Sequence, residues 1–148
     1  IRQDEERILL LKPTTFMNES GRSVSEAVRY YKLSVESEVL IIVDDIDLPC
    51  GSIRIRSSGS NGGHNGLANI EHHLGTSDYT RLRIGIDPPV KIPQKDYVLG
   101  RFRPDQKESI NFAINHAADA ALYWSKNGAT DAMNLYNTRS EKSEAKEI

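Results

Sequence analysis

Apolar and polar positions along this chain switch between two periods, and the switches predict its elements. Within Arg7–Lys12 the run Ile8-Leu9-Leu10-Leu11 is unbroken and stopped by Pro13. It is too short for a helix and uniform enough for a strand buried on both faces. Val24, Ala27, Val28 and Tyr31 then recur at helical spacing, which predicts an amphipathic helix over roughly residues 20–32 with Ser20 or Ser23 as its N-cap. Val39–Val43 reads as a second buried strand, running straight into the acidic turn Asp44-Asp45-Ile46-Asp47-Leu48-Pro49. Ser52–Ser57 alternates, with Arg54 and Arg56 on its wetter face. A glycine-rich stretch, Gly59–Gly66, leads into a helix marked by Leu67, Ile70 and Leu74, and Arg81–Ile86 alternates again, placing Arg81 and Arg83 on one face. Pro104 opens a helix whose stripe is Ile110, Ala113, Ile114, Ala117, Ala121 and Leu122, with Gly128 as its stop and a short helix near Asp131–Tyr136 after it.

Strand, helix, strand, strand, helix, strand, helix is an α/β order. The expected architecture is one domain over residues 1–137, a three-layer sandwich with a mixed twisted sheet and helices on both faces. Residues 138–148 read as a polar flexible tail with nothing to bury. The 148 residues carry 38% hydrophobic and 27% charged positions, enough for a core and too apolar for a disordered chain. Nineteen Lys+Arg against twenty-one Asp+Glu give a net charge of -2, which excludes a bulk polycation that coats nucleic acid. The positive charge is local instead. Between Ser52 and Ile86 four arginines face only Glu71 and Asp78, a cluster suited to a few phosphates. The longest aliphatic run, Val39–Val43, is far below the ~20 residues of a membrane span. A single cysteine, Cys50, can build neither an internal disulfide nor a cysteine zinc cage; a reducing cytoplasm is the expected setting. The chain opens on Ile1, which reads as a fragment or a processed product.

In open α/β sheets ligand sites collect beyond the carboxyl ends of strands, where Asp44 and the glycine-rich loop fall. Asp favours turns in any case, but three acids exceed what this turn needs. The loop is a general anion cradle. It lacks the Lys-Ser/Thr ending of a P-loop and the spacing of a dinucleotide fingerprint, so no nucleotide cofactor is expected. Asn65 either caps the following helix or reaches into a pocket, and Phe16 either packs in the core or lines that pocket. His72, His73 and His116 fall on helices as surface or packing residues, with no carboxylate spacing for a metal.

The motifs Pro13-Thr14-Thr15-Phe16-Met17-Asn18, Asp44-Asp45-Ile46-Asp47-Leu48-Pro49, Gly62-Gly63-His64-Asn65-Gly66, Arg81-Leu82-Arg83-Ile84-Gly85-Ile86 and Asp96-Tyr97-Val98-Leu99-Gly100 resemble, in that order, bacterial peptidyl-tRNA hydrolase. The resemblance implies hydrolysis of the ester between a peptide and the 3′ end of tRNA, without metal or organic cofactor, by a cytoplasmic monomer. It implies that Asp44 orients a catalytic histidine and stabilises its charged form. Asn18 and Asn65 would bind the peptide and the 3′ end of the tRNA, with Phe16 and His64 in the same pocket, and by its chemistry the amide of either Asn18 or Asn65 can steady the oxyanion. Arg56 and Arg83 would grip the 5′-phosphate. The family's amino-terminal strand, its Gly-Asn-Pro-Gly turn and its Thr-Arg-His-Asn motif with the general base have no counterpart before Ile8, so the expectation is an N-terminally incomplete chain, inactive alone. The alternative is a noncatalytic RNA-binding relative, of the splicing-factor kind, that keeps the arginines and loses the chemistry.

Overall fold

The computed structural model describes residues 1–137. Its elements are β1 (Arg2–Gln3), β2 (Glu6–Arg7), α1 (Ser20–Tyr31), α2 (Val35–Glu38), β3 (Leu40–Asp45), β4 (Ile53–Arg56), α3 (Asn65–Leu74), β5 (Thr80–Gly85), α4 (Gln94–Leu99) and α5 (Lys107–Tyr136), with single 3-10 turns at Met17–Glu19 and Pro104–Gln106. The central sheet has the order β3-β5-β4. β3 runs parallel to β5, setting Asp44 beside Ile84, whereas β4 runs antiparallel to it, setting Arg54 opposite Arg83 and Arg56 opposite Arg81. None of the described helices is long and apolar enough to cross a membrane.

Strand alternation divides the apolar side chains between two layers. On one face Ile41 and Val43 meet α1 and α3 through a core of Val24, Leu67, Ile70 and Tyr79. The two helices touch at Gly21, where a Cβ would stand 2.2 Å from the carbonyl oxygen of Asn69. The Gly21 amide donates to Asn69 Oδ1 at 2.7 Å. On the other face Ile53, Ile55 and Leu82 pack under Ala113, Ala117 and Ala120 of α5; the small side chains let that helix lie close. The expected mixed sheet with helices on both sides is the observed one.

Gly128, at φ 81° and ψ 178°, breaks α5, as its place in the sequence suggests. The last two turns fold back, bringing Tyr136 within 5.2 Å of His116 and 5.5 Å of Tyr123 between ring centres. Asn137 then accepts from the Ile55 amide at 2.7 Å and donates to the Ile55 carbonyl at 3.0 Å, closing the outer edge of β4. The polar tail expected over 138–148 lies outside the described residues.

Two expectations are corrected. The buried strand over Arg7–Lys12 does not form: Glu6–Arg7 pairs only with Arg2–Gln3, and Leu9, Leu10 and Leu11 are 50%, 72% and 48% exposed. An apolar run becomes a buried strand only where a neighbouring strand takes its backbone bonds and other layers cover it, and among the described residues neither is present. Neither serine caps α1 either. Glu19 holds the cap position without a side-chain bond, and Ser20, already helical, donates back to the Met17 carbonyl at 2.8 Å.

The acidic turn is seated on β5 through Gly85, where a Cβ would fall 2.1 Å from the Pro49 carbonyl oxygen and 2.8 Å from that of Leu48. Gly85→Ala is therefore expected to destabilise the chain by about 1–3 kcal/mol, the range of core overpacking, read as a lower urea midpoint at unchanged slope. An unaltered midpoint would mean that the turn is free to move off the strand.

Candidate functional site

β3 ends in two successive carboxylates, and the pleat turns them to opposite sides. Asp44 faces the start of α3. There His64 occupies the N-cap: its Nδ1 accepts from the Leu67 amide at 3.3 Å, and its Nε2 lies 3.3 Å from Asp44 Oδ1. A ring nitrogen that accepts carries no proton, so the proton sits on Nε2 and is donated to the carboxylate. That hydrogen bond holds the Asp44 carboxyl below its ordinary pKa, against the opposing pull of partial burial.

Gly66 brings the third chain segment to the same place. A Cβ there would stand 2.6 Å from Met17 Sδ and 3.0 Å from His64 Cε1, so glycine lets the Met17 and His64 side chains of these two segments pack against the start of α3. That turn carries Asn18, next to Phe16, which is 80% exposed. Asn18 and Asn65 are both exposed. The carboxylate, the imidazole and the two segments bearing the amides thus gather beyond the carboxyl end of β3, the position anticipated for the site.

Asp45 faces a second region. A cleft of about 330 Å³ opens over the arginine-bearing strands, lined by Asp45, Asp47, Arg54, Arg56, Arg83 and the backbone at Gly59–Ser60. Arg83 donates to the Ser60 carbonyl at 2.9 Å and lies 3.5 Å from Asp45 Oδ2. Arg54 and Arg56 are exposed. Arg81 behaves differently from its neighbours, being 1% exposed. It pairs with Glu71 at 3.3 Å, donates to the carbonyls of Gly59 at 2.9 Å and Tyr79 at 3.3 Å and to that of Ser77, and lies over the Tyr79 ring at 4.1 Å. Burial pushes the Tyr79 phenol up to about 12, so it remains a protonated donor toward Glu71 at 3.5 Å.

The structure therefore separates the sequence-predicted residues into two neighbouring groups, Phe16, Asn18, Asp44, His64 and Asn65 in one, Arg56 and Arg83 in the other. Two details differ from expectation. The cap of α3 is His64, not Asn65. Arg81 is an internal anchor and not a second presented arginine of β5. Sequence reasoning counted Arg54 in the arginine cluster but gave individual roles only to Arg56 and Arg83, and it gave none to Asp45. Alternation put Arg54 on the face of Arg56, as observed, whereas the turn of Asp45 toward Arg83 depends on how β3 and β5 are paired. Burial, and after it Asp87, raise the Cys50 thiol pKa, which makes it a poor nucleophile.

A family model described as "Peptidyl-tRNA hydrolase" matches residues 1–145. Proteins named peptidyl-tRNA hydrolase from Halalkalibacterium halodurans and Rhodopirellula baltica are 48% identical over 137 residues and 47% identical over 140 residues, covering 92% and 94% of this chain and 74% and 73% of their own length. A crystal structure of peptidyl-tRNA hydrolase from Acinetobacter baumannii superposes with a TM-score of 0.78 at 35% identity, over 85% of this chain and 64% of that one. A complex of peptidyl-tRNA hydrolase with N-propanol gives a TM-score of 0.79 at 35% identity, over 87% and 65%. The chain thus spans about three quarters of the length of these sequence relatives and just under two thirds of the solved chains.

The lowered Asp44 pKa has a sign that can be measured. A carboxyl whose folded-state pKa lies below its unfolded value contributes stability that is fully present above about pH 4 and is lost as the pH falls through the folded value. The difference in unfolding free energy between the wild type and Asp44→Asn should shrink as the pH is lowered from about 6 to below about 3. A difference that stays constant over this range would mean that His64 does not hold the carboxylate.

Proposed function

This chain belongs to the peptidyl-tRNA hydrolase family, and from that premise we propose that it serves hydrolysis of the ester joining a peptide to the 3′ end of tRNA, with the first group of residues at the ester and the arginine cleft on the tRNA 5′-phosphate. The observation that carries this reading is the continuity between the two groups. One loop, residues 59–64, contacts Arg83 through Ser60 and Asp44 through His64, so the distance from phosphate grip to ester is built into the fold.

Hydrolysis requires a base to take a proton from water as its oxygen attacks the ester carbonyl, then donors for the oxyanion of the tetrahedral intermediate, then return of the proton to the departing 3′ oxygen of the tRNA. Neither ring nitrogen of His64 suits the first task, because Nδ1 is spent on α3 and the Nε2 proton on Asp44. The base in this reading is the histidine of the Thr-Arg-His-Asn motif that the resemblance implies, which the 148 residues do not contain. Asp44 is fitted to steer that imidazole. Its Oδ1 is tied to His64 while Oδ2 bonds no side chain among the described residues, and a lowered pKa keeps it charged to stabilise the imidazolium. Asn18 and Asn65 supply neutral amide donors to substrate and oxyanion. No metal or organic cofactor enters these steps. In the cleft, guanidiniums fork onto the oxygens of a terminal phosphate without reading bases.

The chain alone is expected to bind an N-blocked aminoacyl-tRNA without turnover, and the chain extended by an upstream segment bearing the histidine motif is expected to cleave it. In the extended protein Asp44→Asn should lower kcat by about 10²- to 10⁴-fold while leaving tRNA affinity unchanged. Arg56→Ala and Arg83→Ala should each weaken binding of 5′-phosphorylated tRNA about tenfold or more, with a shallower salt dependence. A folded extended chain that remains inactive, or arginine variants that bind normally, would refute the assignment.

A further inference from the structure

The arginine cleft contains an anion of its own. Asp45 Oδ2 lies 3.5 Å from Arg83 Nη1, with side-chain exposures of 13% and 14%, so solvent and salt screen the pair little. The carboxylate is not free to swing aside, because its Oδ1 accepts from the Asp47 amide at 2.8 Å. Arg54 and Arg56 stand exposed across the same cleft. Among the described residues neither has a carboxylate within ion-pair distance, whereas Arg81 is matched by Glu71 and Arg83 by Asp45. The register puts Arg54 directly opposite Arg83. Like charges so placed repel unless an anion lies between them.

We propose that Asp45 is the specificity-determining residue of this cleft: its carboxylate occupies Arg83 until a doubly charged phosphate displaces it, with Arg54 completing the new site, so that a terminal phosphate monoester is taken and the diesters of the same RNA are passed over. The proposal rests on the reading of the cleft as the 5′-phosphate grip and adds to it the element that makes the grip selective. A phosphodiester brings one charge and two free oxygens. Exchanging it for a carboxylate on Arg83 gains nothing, since Arg83 already has a singly charged partner. A monoester brings a charge of about −1.5 to −2 and three strong acceptor oxygens. It can satisfy Arg83 in place of Asp45 and still offer oxygens to Arg54 and Arg56. Asp47, also on the cleft wall, adds to the repulsion that a weaker anion fails to overcome. The filter therefore works by competition within the protein, with no base contact.

The test uses the purified chain and an acceptor-stem RNA hairpin carrying either a 5′-phosphate or a 5′-hydroxyl, with dissociation constants from fluorescence anisotropy at two salt concentrations. The wild type should prefer the 5′-phosphate. Asp45→Asn, which keeps the acceptor for the Asp47 amide and removes the charge, should tighten binding of both RNAs and of the hydroxyl form more, reducing the preference about fivefold or more. Asp45→Ser, whose hydroxyl can also accept from the Asp47 amide, should do the same, and Arg54→Ala should reduce the preference by weakening the phosphate form. Weaker binding in both Asp45 variants with native circular dichroism, or an unchanged preference, would overturn the proposal. A wild type without preference, or an Arg83→Ala variant that retains it, would instead remove the reading of the cleft on which the proposal stands.

Discussion

The geometry of the whole site depends on the buried guanidinium of Arg81. Taking a charge out of water is costly and is offset only by partners of good geometry; in Arg81 both terminal nitrogens have them, while the buried Nε has none among the described residues. Arg81 finds most of its partners in the glycine-rich loop, in the lead-in to β5 and in α3, through the carbonyls of Gly59, Ser77 and Tyr79 and the carboxylate of Glu71. Glu71 in turn accepts from Asn61 at 3.1 Å. The loop is thereby pinned at 59 and 61, and between the last pin and the cap of α3 only Gly62 and Gly63 remain, at φ of 61° and 79°. Those values suit glycine and few other residues. A Cβ at Gly62 would also stand 3.4 Å from the Arg83 guanidinium. The place of His64, and through it the aim of Asp44, follows from where Arg81 sits.

The second constraint is the pleat of β3. Because successive side chains leave a strand on opposite sides, two adjacent acids serve two different chemistries. Asp44 meets an imidazole whose tautomer is fixed by a helix amide, and Asp45 meets a guanidinium in the cleft. A shift of register by one residue would exchange these partners and unmake both subsites at once. The packing of Ile41 and Val43 on one face, and of Ile84 beside Asp44 on the other, holds that register in place.

Much of the fold was legible because helical and alternating periods report directly on which face is buried. The helices begun at Ser20 and Asn65, the strands around Ile42, Ile55 and Leu82, and the break at Gly128 all follow from local pattern. The run at Leu9–Leu11 was misread because an apolar stretch carries no information on whether a partner strand lies beside it. The acidic turn and the glycine-rich loop pointed to the site through residue chemistry. The finer assignments did not, for reasons of long-range geometry. Asn is the better N-cap by intrinsic preference, yet His64 takes that place beside a carboxylate 20 positions away in sequence. Alternation puts Arg81 and Arg83 on the same face, and only the covering of that face by the loop and α3 makes one an anchor and leaves the other at the cleft.

The amide of Asn137 reaches across 82 positions to bond both backbone groups of Ile55, which sets an order on the birth of the protein. During synthesis the strand that holds Arg54 and Arg56 emerges early, but its outer flank stays open until the fold-back after Gly128 has left the ribosome. In that interval the exposed backbone can recruit any extended segment, including the same stretch of another nascent chain. The finished molecule shuts this opening with a single side chain that imitates a neighbouring strand, and that side chain belongs to the last described residue.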